Sequence, residues 1–288
     1  MFIRLRIVRS KNKVKMSRDI IRAVDLDVNT IQYGELKKRG SNAKAPKGVD
    51  MTINNKPIIL QIPNAKVPFG LNQYTDDKTS ETKYSLEISL GGSDDIEEFK
   101  AVLEELNDLN VKTIAENSKE WLGNKMKADT IREAGNYTSL VRPDKADNPP
   151  RFKTKLPVYL NRDKDRKLVT DCGNGRGDFV VFNKGSKDPL DIVKRDSNGY
   201  YNTDFSWANN GMEVTLIVQC EGLWVINKNV YCTWKVLQIK INKKSSKMIT
   251  YAFADSDDEG NDEGEDDNNG DVEENGDDEE EDYIDGDE

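Results

Sequence analysis

The chain has 288 residues, with 43 Lys or Arg, 53 Asp or Glu, three cysteines and no histidine. The lack of histidine excludes Ser-His-Asp and Cys-His nucleophilic sites and histidine-ligated zinc, and three widely spaced cysteines indicate neither a disulfide framework nor a zinc knuckle. We therefore expect a protein that is not an enzyme, holds no metal or cofactor, and belongs to a reducing intracellular compartment.

Charge is distributed unevenly along the chain. Residues 255–288 contain 21 acidic residues and no Lys or Arg, so the net charge of −10 hides a body of net charge +11. A surplus of this size usually serves to bind a polyanion, whereas the acidic segment cannot form a core and is expected to be a disordered tail. We divide the chain into residues 1–49, a basic N-terminal strand and flexible loop, residues 50–254, the folded body, and residues 255–288, the tail.

The first predicted elements are strands. Residues 1–9 alternate apolar and basic side chains, which indicates a strand rather than a signal peptide. Residues 34–48 combine glycine, proline and five cations, which is typical of a loop that stays mobile until a ligand orders it. Strands follow over 57–62 and 84–90, and the second places Tyr84, Leu86, Ile88 and Leu90 inward and Ser85, Glu87 and Ser89 outward.

An amphipathic helix interrupts the strands. Ile96, Phe99, Leu103 and Leu106 recur at helical spacing behind a cap at Ser93 or Asp94. The exposed face is acidic, so we expect the helix to lie away from any nucleic acid. A break near Asn110, with the helix resuming towards Trp121, is an open alternative.

The second half of the body returns to strands. They are predicted over 152–160, 178–182, 212–220, 223–226 and 231–241, with a hairpin turn at 227–229. Several short strands with one inserted helix predict a mainly β (α+β) fold, either a small closed barrel or a sandwich. No apolar run approaches the ~18 residues of a membrane span.

The strand around 151–159 carries the sharpest functional signal. Period-two geometry places Arg151, Lys153, Lys155 and Tyr159 on one face, opposite Phe152, Thr154, Leu156 and Val158. Cations that track a backbone beside a stacking ring are typical of proteins that bind single strands without sequence preference. The alternative is a solvated edge strand, which Pro157 would favour.

The closing hairpin supplies further aromatic and basic residues, Trp224, Tyr231, Trp234, Lys235 and Lys240. Trp224 and Trp234 are stacking candidates, Lys235 and Lys240 are phosphate-binding candidates, and Tyr137 and Arg142 complete the set. The alternative for each tryptophan is a place in the core. Weaker aromatic candidates are Phe69, Tyr74, Tyr200, Tyr201, Phe205 and Trp207.

Other motifs point away from catalysis. Residues 173–177 lack the ending of a phosphate loop and read as a turn, and the imperfect calcium-loop pattern of residues 255–266 has no flanking helices. Asp163, Asp165 and Asp171 could form a metal-dependent nuclease site only if their turn-like spacing brought them together. In the tail, Tyr283 and Ile284 form an apolar tip that a basic pocket on a replication protein could bind.

Four segments carry a family resemblance: residues 59–70, 83–90, 149–157 and 211–238. Over residues 50–245 the body resembles the single-stranded DNA-binding proteins of large nucleocytoplasmic DNA viruses, and with its tail it is similar to the OB-fold single-stranded DNA-binding proteins of phages and bacteria. The resemblance implies an OB-like β-barrel that coats replication intermediates in an infected cell, without catalysis.

We therefore predict a sequence-tolerant single-stranded DNA-binding protein of replication, recombination or repair, located in host cytoplasm or nucleus. RNA as the ligand and assembly into a homo-oligomer remain open. The main alternative is an acidic-tailed assembly protein or chaperone that holds a basic partner protein.

Overall fold

The computed structural model describes residues 20–40, 45–144, 148–170 and 172–244. All of them fall within one compact unit. The helices are α1 (Asp94–Trp121), α2 (Ala128–Glu133) and two short 3-10 helices (Ala23–Asp25 and Val28–Thr30). The strands are β1 (Ile21–Arg22), β2 (Gln32–Lys38), β3 (Lys47–Ile53), β4 (Lys56–Pro57), β5 (Ile59–Val67), β6 (Leu71–Thr75), β7 (Thr82–Ser89), β8 (Tyr137–Thr138), β9 (Arg151–Leu156), β10 (Val158–Tyr159), β11 (Arg176–Gly177), β12 (Val180–Phe182), β13 (Val193–Arg195), β14 (Tyr201–Thr203), β15 (Met212–Ile226) and β16 (Asn229–Lys243).

Five strands build the body, in the order β5-β15-β16-β9-β7. All neighbouring pairs are antiparallel except β9 and β16, which are parallel. Strands β5 and β7, at the two ends of this path, bring Cα atoms within 8 Å of each other. In chain order these strands are β5, β7, β9, β15 and β16. Strand β5 therefore neighbours β7 and β15, and β9 neighbours β7 and β16. This is the arrangement of the partly open Greek-key barrel of an OB fold. The predicted class, mainly β with an inserted helix, is confirmed.

Alternating apolar residues fill the interior of this barrel. Phe152 of β9 meets Phe99 of α1 and Trp234 of β16 edge-to-face, with ring centroids 5.6 and 6.3 Å apart. All three side chains are fully buried. Burial of side chains of this size contributes roughly 1.5–3 kcal/mol each, so this ring cluster joins helix and barrel into one core.

The helix is continuous, and the alternative of a break near Asn110 is wrong. Asn110 is fully buried, but its amide is satisfied: Tyr33 donates to Asn110 Oδ1 at 2.6 Å, and Asn110 Nδ2 donates to the Tyr137 hydroxyl at 2.9 Å. A buried amide with partners on both sides carries no desolvation penalty that would break the helix. The same network ties the helix to β2 and to the segment around Tyr137.

The N-terminal part of the described chain corrects the sequence prediction. Residues expected in a flexible loop over 34–48 belong instead to an antiparallel hairpin of β2 and β3, with a gap in the description at residues 41–44. Strand β3 also pairs with β15, so the boundary predicted at residue 49 falls inside a strand of the same sheet. A basic segment can still form a strand when that strand continues into buried residues. Here β3 continues beyond residue 48 into Val49 and Met51, which are both buried.

A bulge in β15 allows that pairing. Gly222 lies at a register shift with φ of +88°, a conformation that side-chain-bearing residues rarely adopt. A Cβ on Gly222 would lie 2.2 Å from the carbonyl oxygen of Val49. The two strands predicted over 212–220 and 223–226 are therefore one bulged strand, and glycine at its bend admits the backbone of β3.

Two remaining predictions concern the ends of β15 and of the chain. The predicted hairpin turn is confirmed, because Asn227 and Lys228 both have positive φ, as a two-residue type I′ turn requires. The predicted strand at 1–9 and the tail, with Tyr283 and Ile284, lie outside the described residues.

Candidate nucleic-acid interface

A groove runs over the outer face of β7, β9, β15 and β16. It consists of two cavities of about 430 and 440 Å³ that share Lys83, Lys153 and Lys155 in their walls. We call the two together the central groove. Its walls include five cations and one carboxylate: Lys83, Arg142, Lys153, Lys155, Lys235 and Glu221. The groove is therefore electropositive along its length.

Strand β9 forms the floor, and the predicted alternation holds over Arg151–Leu156. The predicted strand over 152–160 is divided at Pro157, because Val158–Tyr159 belongs to a separate two-stranded sheet with β11. Phe152, Thr154 and Leu156 are buried, while Lys153 and Lys155 project into the groove. The alternative of an edge strand is wrong, because β9 lies between β7 and β16. The Thr154 hydroxyl donates to the carbonyl of Leu86 at 3.1 Å and leaves no buried polar group unpaired on the core side of this strand.

Carboxylates beneath the cations hold them in place. Glu87, predicted to face outward, is only 8% exposed because Arg151 and Lys153 lie over it. Arg151 Nη1 is 2.7 Å and Lys153 Nζ 3.9 Å from the Glu87 carboxylate. Burial, and then repulsion from Arg142 and Arg151, lower the pKa of Lys153 despite the attraction of Glu87. Asp144 is a second carboxylate beside these cations, 3.3 Å from Arg151 Nε. Because burial is the main cause of the lowered pKa, a polyanion bound over Lys153 would favour its charged form.

Two rings line the groove beside the cations. Trp224 of β15 and Tyr231 of β16 are directly paired across the hairpin, and both are half-buried. The Lys155 ammonium lies 5.5 Å from the centroid of the Trp224 ring. Within the described residues the buried Trp224 Nε1 has no hydrogen-bond partner. Half-exposed rings between cations are able to stack a base while a neighbouring ammonium binds phosphate.

Two predicted contact residues are placed differently. Trp234 is only 1% exposed and packs on Phe152, so its prediction as a stacking platform is wrong. The Tyr137 hydroxyl donates to Asn107 Oδ1 at 2.8 Å and accepts from Asn110, and burial raises the pKa of Tyr137. Its neighbours Thr138, Ser139 and Leu140 line the groove. Tyr137 therefore packs behind the wall of the groove and supports it. It does not line the groove, in contrast to the direct contact that we predicted.

The other predicted residues divide between the groove and its surroundings. Arg142 and Lys235 line the central groove, and Arg151 lies at the end of β9 with its guanidinium 5.0 Å from the Phe69 ring. Lys240 is exposed but lies five residues along β16 from Lys235, roughly 17 Å at ~3.4 Å per residue, and lines neither cavity. Tyr159 is exposed beyond the far end of the groove.

Sequence reasoning missed Lys83 and gave Tyr231 and Tyr74 too little weight. Lys83 begins the outward set of β7, two residues before Ser85, so strict alternation would have found it. Tyr74 of β6 is directly paired with Lys83 and lines the second cavity. Tyr231 could be ranked only after the structure showed that it pairs with Trp224.

The nuclease alternative finds no support in the described part of the chain. Asp163 Oδ1 accepts the backbone N–H groups of Asp165 and Lys167 at 2.8 and 2.9 Å, so it closes a turn, while Asp171 lies outside the described residues. No group of three or more potential metal ligands occurs in residues 20–40, 45–144, 148–170 and 172–244. Within the same ranges, neither helix has the length and apolar character to cross a bilayer.

Comparison with known proteins finds similarity only among solved structures. No protein-family model and no curated protein matches the chain. The crystal structure of gp2.5, a single-stranded DNA-binding protein encoded by bacteriophage T7, is similar with a TM-score of 0.39 and 12% identity, over 68% of this chain and 98% of that one. The single-stranded DNA-binding protein of bacteriophage Enc34, solved in complex with single-stranded DNA, is similar with a TM-score of 0.37 and 11% identity, over 73% of this chain and 97% of that one.

Proposed function

We propose that the protein binds single-stranded DNA in the central groove, without catalysis and with little preference for base sequence. The observation that carries the proposal is the lining of the groove: five cations, one carboxylate and the paired rings of Trp224 and Tyr231. The cations would bind successive phosphates, and the rings would stack on bases whose faces are exposed only in a single strand.

The rings distinguish a single strand from a duplex. In a duplex the base faces are stacked on each other, so Trp224 and Tyr231 could contribute nothing beyond van der Waals contact with the backbone. In a single strand each stacked base adds roughly 1–3 kcal/mol to binding. The cations alone would bind both forms, so a preference for the single strand measures the contribution of the rings to the binding free energy.

Low sequence preference follows from the same chemistry. Every base has a π-face, and the lysines that line the groove are flexible point charges that recognise phosphate rather than base edges. Lysine outnumbers arginine four to one among the cations of the groove. Fixed bidentate readout of guanine, which arginine typically provides, is therefore not the main contact in this groove.

The test is a fluorescence-anisotropy titration of a labelled single strand of ~30 nucleotides and the matching duplex. OB folds cover roughly 4–16 nucleotides, so this length holds at least one site. We expect a preference for the single strand and a log–log salt slope of about −0.7 for each phosphate contact. Equal affinity for both forms, or an affinity independent of salt, would contradict the proposal. Replacing Lys112, an exposed cation on α1, by Gln is the matched control and should leave the affinity unchanged.

The acidic tail gives the proposal a second part. Because it carries 21 acids within 34 residues, it would compete with DNA for the same cations and offer Tyr283 and Ile284 to a replication protein. Removal of residues 255–288 is then expected to tighten DNA binding. The alternative function, an assembly protein that holds a basic partner, predicts instead that the truncated chain loses that partner while DNA binding stays absent.

The wider setting follows as part of the same proposal. We propose that the protein acts in replication, recombination or repair, and, on the resemblance of residues 50–245 to viral proteins, that it does so at a viral replication site in host cytoplasm or nucleus. Copurification with nascent viral DNA in infected cells, reduced in a Trp224→Ala variant, is the corresponding experiment.

A further inference from the structure

A second basic and aromatic pocket lies beyond the end of the central groove. Its cavity measures about 460 Å³, and its walls combine three cations and three tyrosines: Arg162, Lys164, Arg176, Tyr159, Tyr200 and Tyr201. We call it the arginine–tyrosine pocket. Asp163, the one acid in the wall, turns its Oδ1 to backbone N–H groups of its own loop.

A hydrogen-bonded polar framework builds the pocket. Buried Asn161 donates to the Tyr201 carbonyl at 2.8 Å and accepts the Tyr201 N–H at 2.9 Å. Gly175 allows the adjoining backbone to approach closely, since a Cβ there would lie 2.5 Å from the carbonyl oxygen of Tyr159. Strands β10 and β11 pair Tyr159 directly with Arg176, which places the two side chains side by side on one face.

The side chains of this pocket are available to a ligand. The Tyr159 ring is 62% exposed. Arg176 is exposed and lies over the Tyr201 ring at 5.9 Å, with Arg195 also near that ring at 5.3 Å. Within the described residues neither Arg176 nor Lys164 has a carboxylate oxygen within 4 Å. Arg162 is paired with Glu81 at 2.6 Å, and the Tyr159 hydroxyl donates to Asp178 Oδ2 at 3.3 Å, which leaves the face of the ring exposed. Exposed cations without a carboxylate partner, beside an exposed ring face, are the elements of a phosphate and base site.

The pocket continues the line of the central groove. Lys153 and Lys155 face outward along β9, Tyr159 follows in β10, and Pro157 and Val158 in between line the second cavity of the groove. Successive outward residues lie roughly 6.8 Å apart at ~3.4 Å per residue, which suits an extended polynucleotide chain. Asp178, and more weakly Glu221 of the groove, raise the pKa of Tyr159, which places this ring within electrostatic range of the groove.

We infer that a single strand longer than the central groove continues into the arginine–tyrosine pocket, where Tyr159 stacks on a base and Arg176 and Lys164 bind its flanking phosphates. This inference rests on the proposed function and extends it: the pocket is a second subsite, occupied only by longer strands, which raises the affinity and sets the site size. Short strands fill the central groove alone.

The experiment is a length series of oligothymidines, from 4 to 20 nucleotides within the roughly 4–16-nucleotide range of OB folds and just beyond it. The full chain is compared with the double variant Tyr159→Ala, Arg176→Ala by fluorescence anisotropy. The variant loses one stacking ring and one phosphate contact, so we expect it to bind the longest strand at least about tenfold more weakly and the shortest strand within twofold of the unaltered chain. Adding Lys164→Ala should make the salt slope shallower by about 0.7, again only for long strands.

Two controls keep the outcomes distinct. Lys112→Ala removes an exposed cation from α1 and should change the affinity for neither the short nor the long strands. Thermal melting checks that the double variant is folded. An equal loss of affinity at every length, or no loss at any length, overturns the second subsite while the binding of short strands still supports the central groove. If the unaltered chain binds no single strand, the proposed function itself fails.

Discussion

Ring and cation contributions to DNA affinity can be separated at the central groove. The Lys155 ammonium lies 5.5 Å from the Trp224 ring, a contact that contributes about 0.5–1 kcal/mol when exposed. A stacked base contributes roughly 1–3 kcal/mol but must share this ring with Lys155. We therefore expect Trp224→Ala to raise the Kd about tenfold, near the lower end of the stacking range. The indole carries no charge, so the salt slope should stay unchanged.

Lys153→Gln is the complementary change. It removes one phosphate contact and should make the log–log salt slope shallower by about 0.7. Glu87 keeps its 2.7 Å contact with Arg151 in this variant, so no buried carboxylate is left without a partner. Since burial, and then repulsion from Arg142, lower the pKa of Lys153, a neutral side chain there also removes a desolvation cost and a repulsion from the free protein. The unfolding temperature should be equal to, or above, that of the unaltered chain.

The assay is anisotropy of a labelled ~30-nucleotide strand at four or more salt concentrations, for both variants and the Lys112→Gln control. Trp224→Ala should displace the plot of log Kd against log salt in parallel, and Lys153→Gln should rotate it. A rotation for Trp224→Ala, or a parallel displacement for Lys153→Gln, would refute the assignment of stacking to the ring and phosphate binding to the cation.

Three further substitutions test the scaffold, each read as the free energy of unfolding in denaturant. Trp234→Ala empties a fully buried site against Phe152 and should cost about 3–5 kcal/mol; a cost below 1 kcal/mol would mean that the ring is not in the core. Gly222→Ala forces a methyl group towards the Val49 carbonyl at positive φ and should lower the free energy of unfolding by roughly 1–3 kcal/mol. Gly185 also has positive φ but lies in open space, so Gly185→Ala measures the backbone part of that loss alone. Asn110→Ala leaves the Tyr33 and Tyr137 hydroxyls without a shared partner and should cost about 1–3 kcal/mol, while Asn117→Ala on the same helix is the milder comparison.

The sequence predicted correctly the features that depend on one local segment of the chain. The alternation of β9, the start of the helix and the turn at Asn227 and Lys228 depend on local periodicity or on local backbone conformation, and all three were predicted. The neighbours of a strand are a tertiary property. For that reason Pro157 suggested an edge position, although the strand that precedes it lies inside the sheet.

The tryptophans show why the candidate site was only partly predictable. Trp224 and Trp234 lie on adjacent strands of one hairpin and have the same local pattern. Trp224 pairs with Tyr231, which is three residues from Trp234 along β16, so strand alternation places the two rings on opposite faces of the hairpin. Trp234 faces Phe152 in the core, whereas Trp224 is beside Lys155 in the groove. Which of the two faces is buried depends on the strands and the helix that pack against the hairpin, and the hairpin sequence alone does not determine it.

Carboxylates beneath the groove would make the proposed contact with DNA reversible. Glu87 holds Arg151 and Lys153, and Glu221 holds Lys155 at 3.1 Å, so three of the cations along β9 already make charge-assisted contacts in the free protein. A phosphate that binds one of them replaces an existing partner, and the net gain per contact is smaller than for an unpaired cation. The preformed pairs also keep long side chains ordered, which lowers the entropy lost on binding. A groove of this kind favours many weak phosphate contacts that form and break in succession, and this is the behaviour required of a protein that covers a single strand and is later displaced from it.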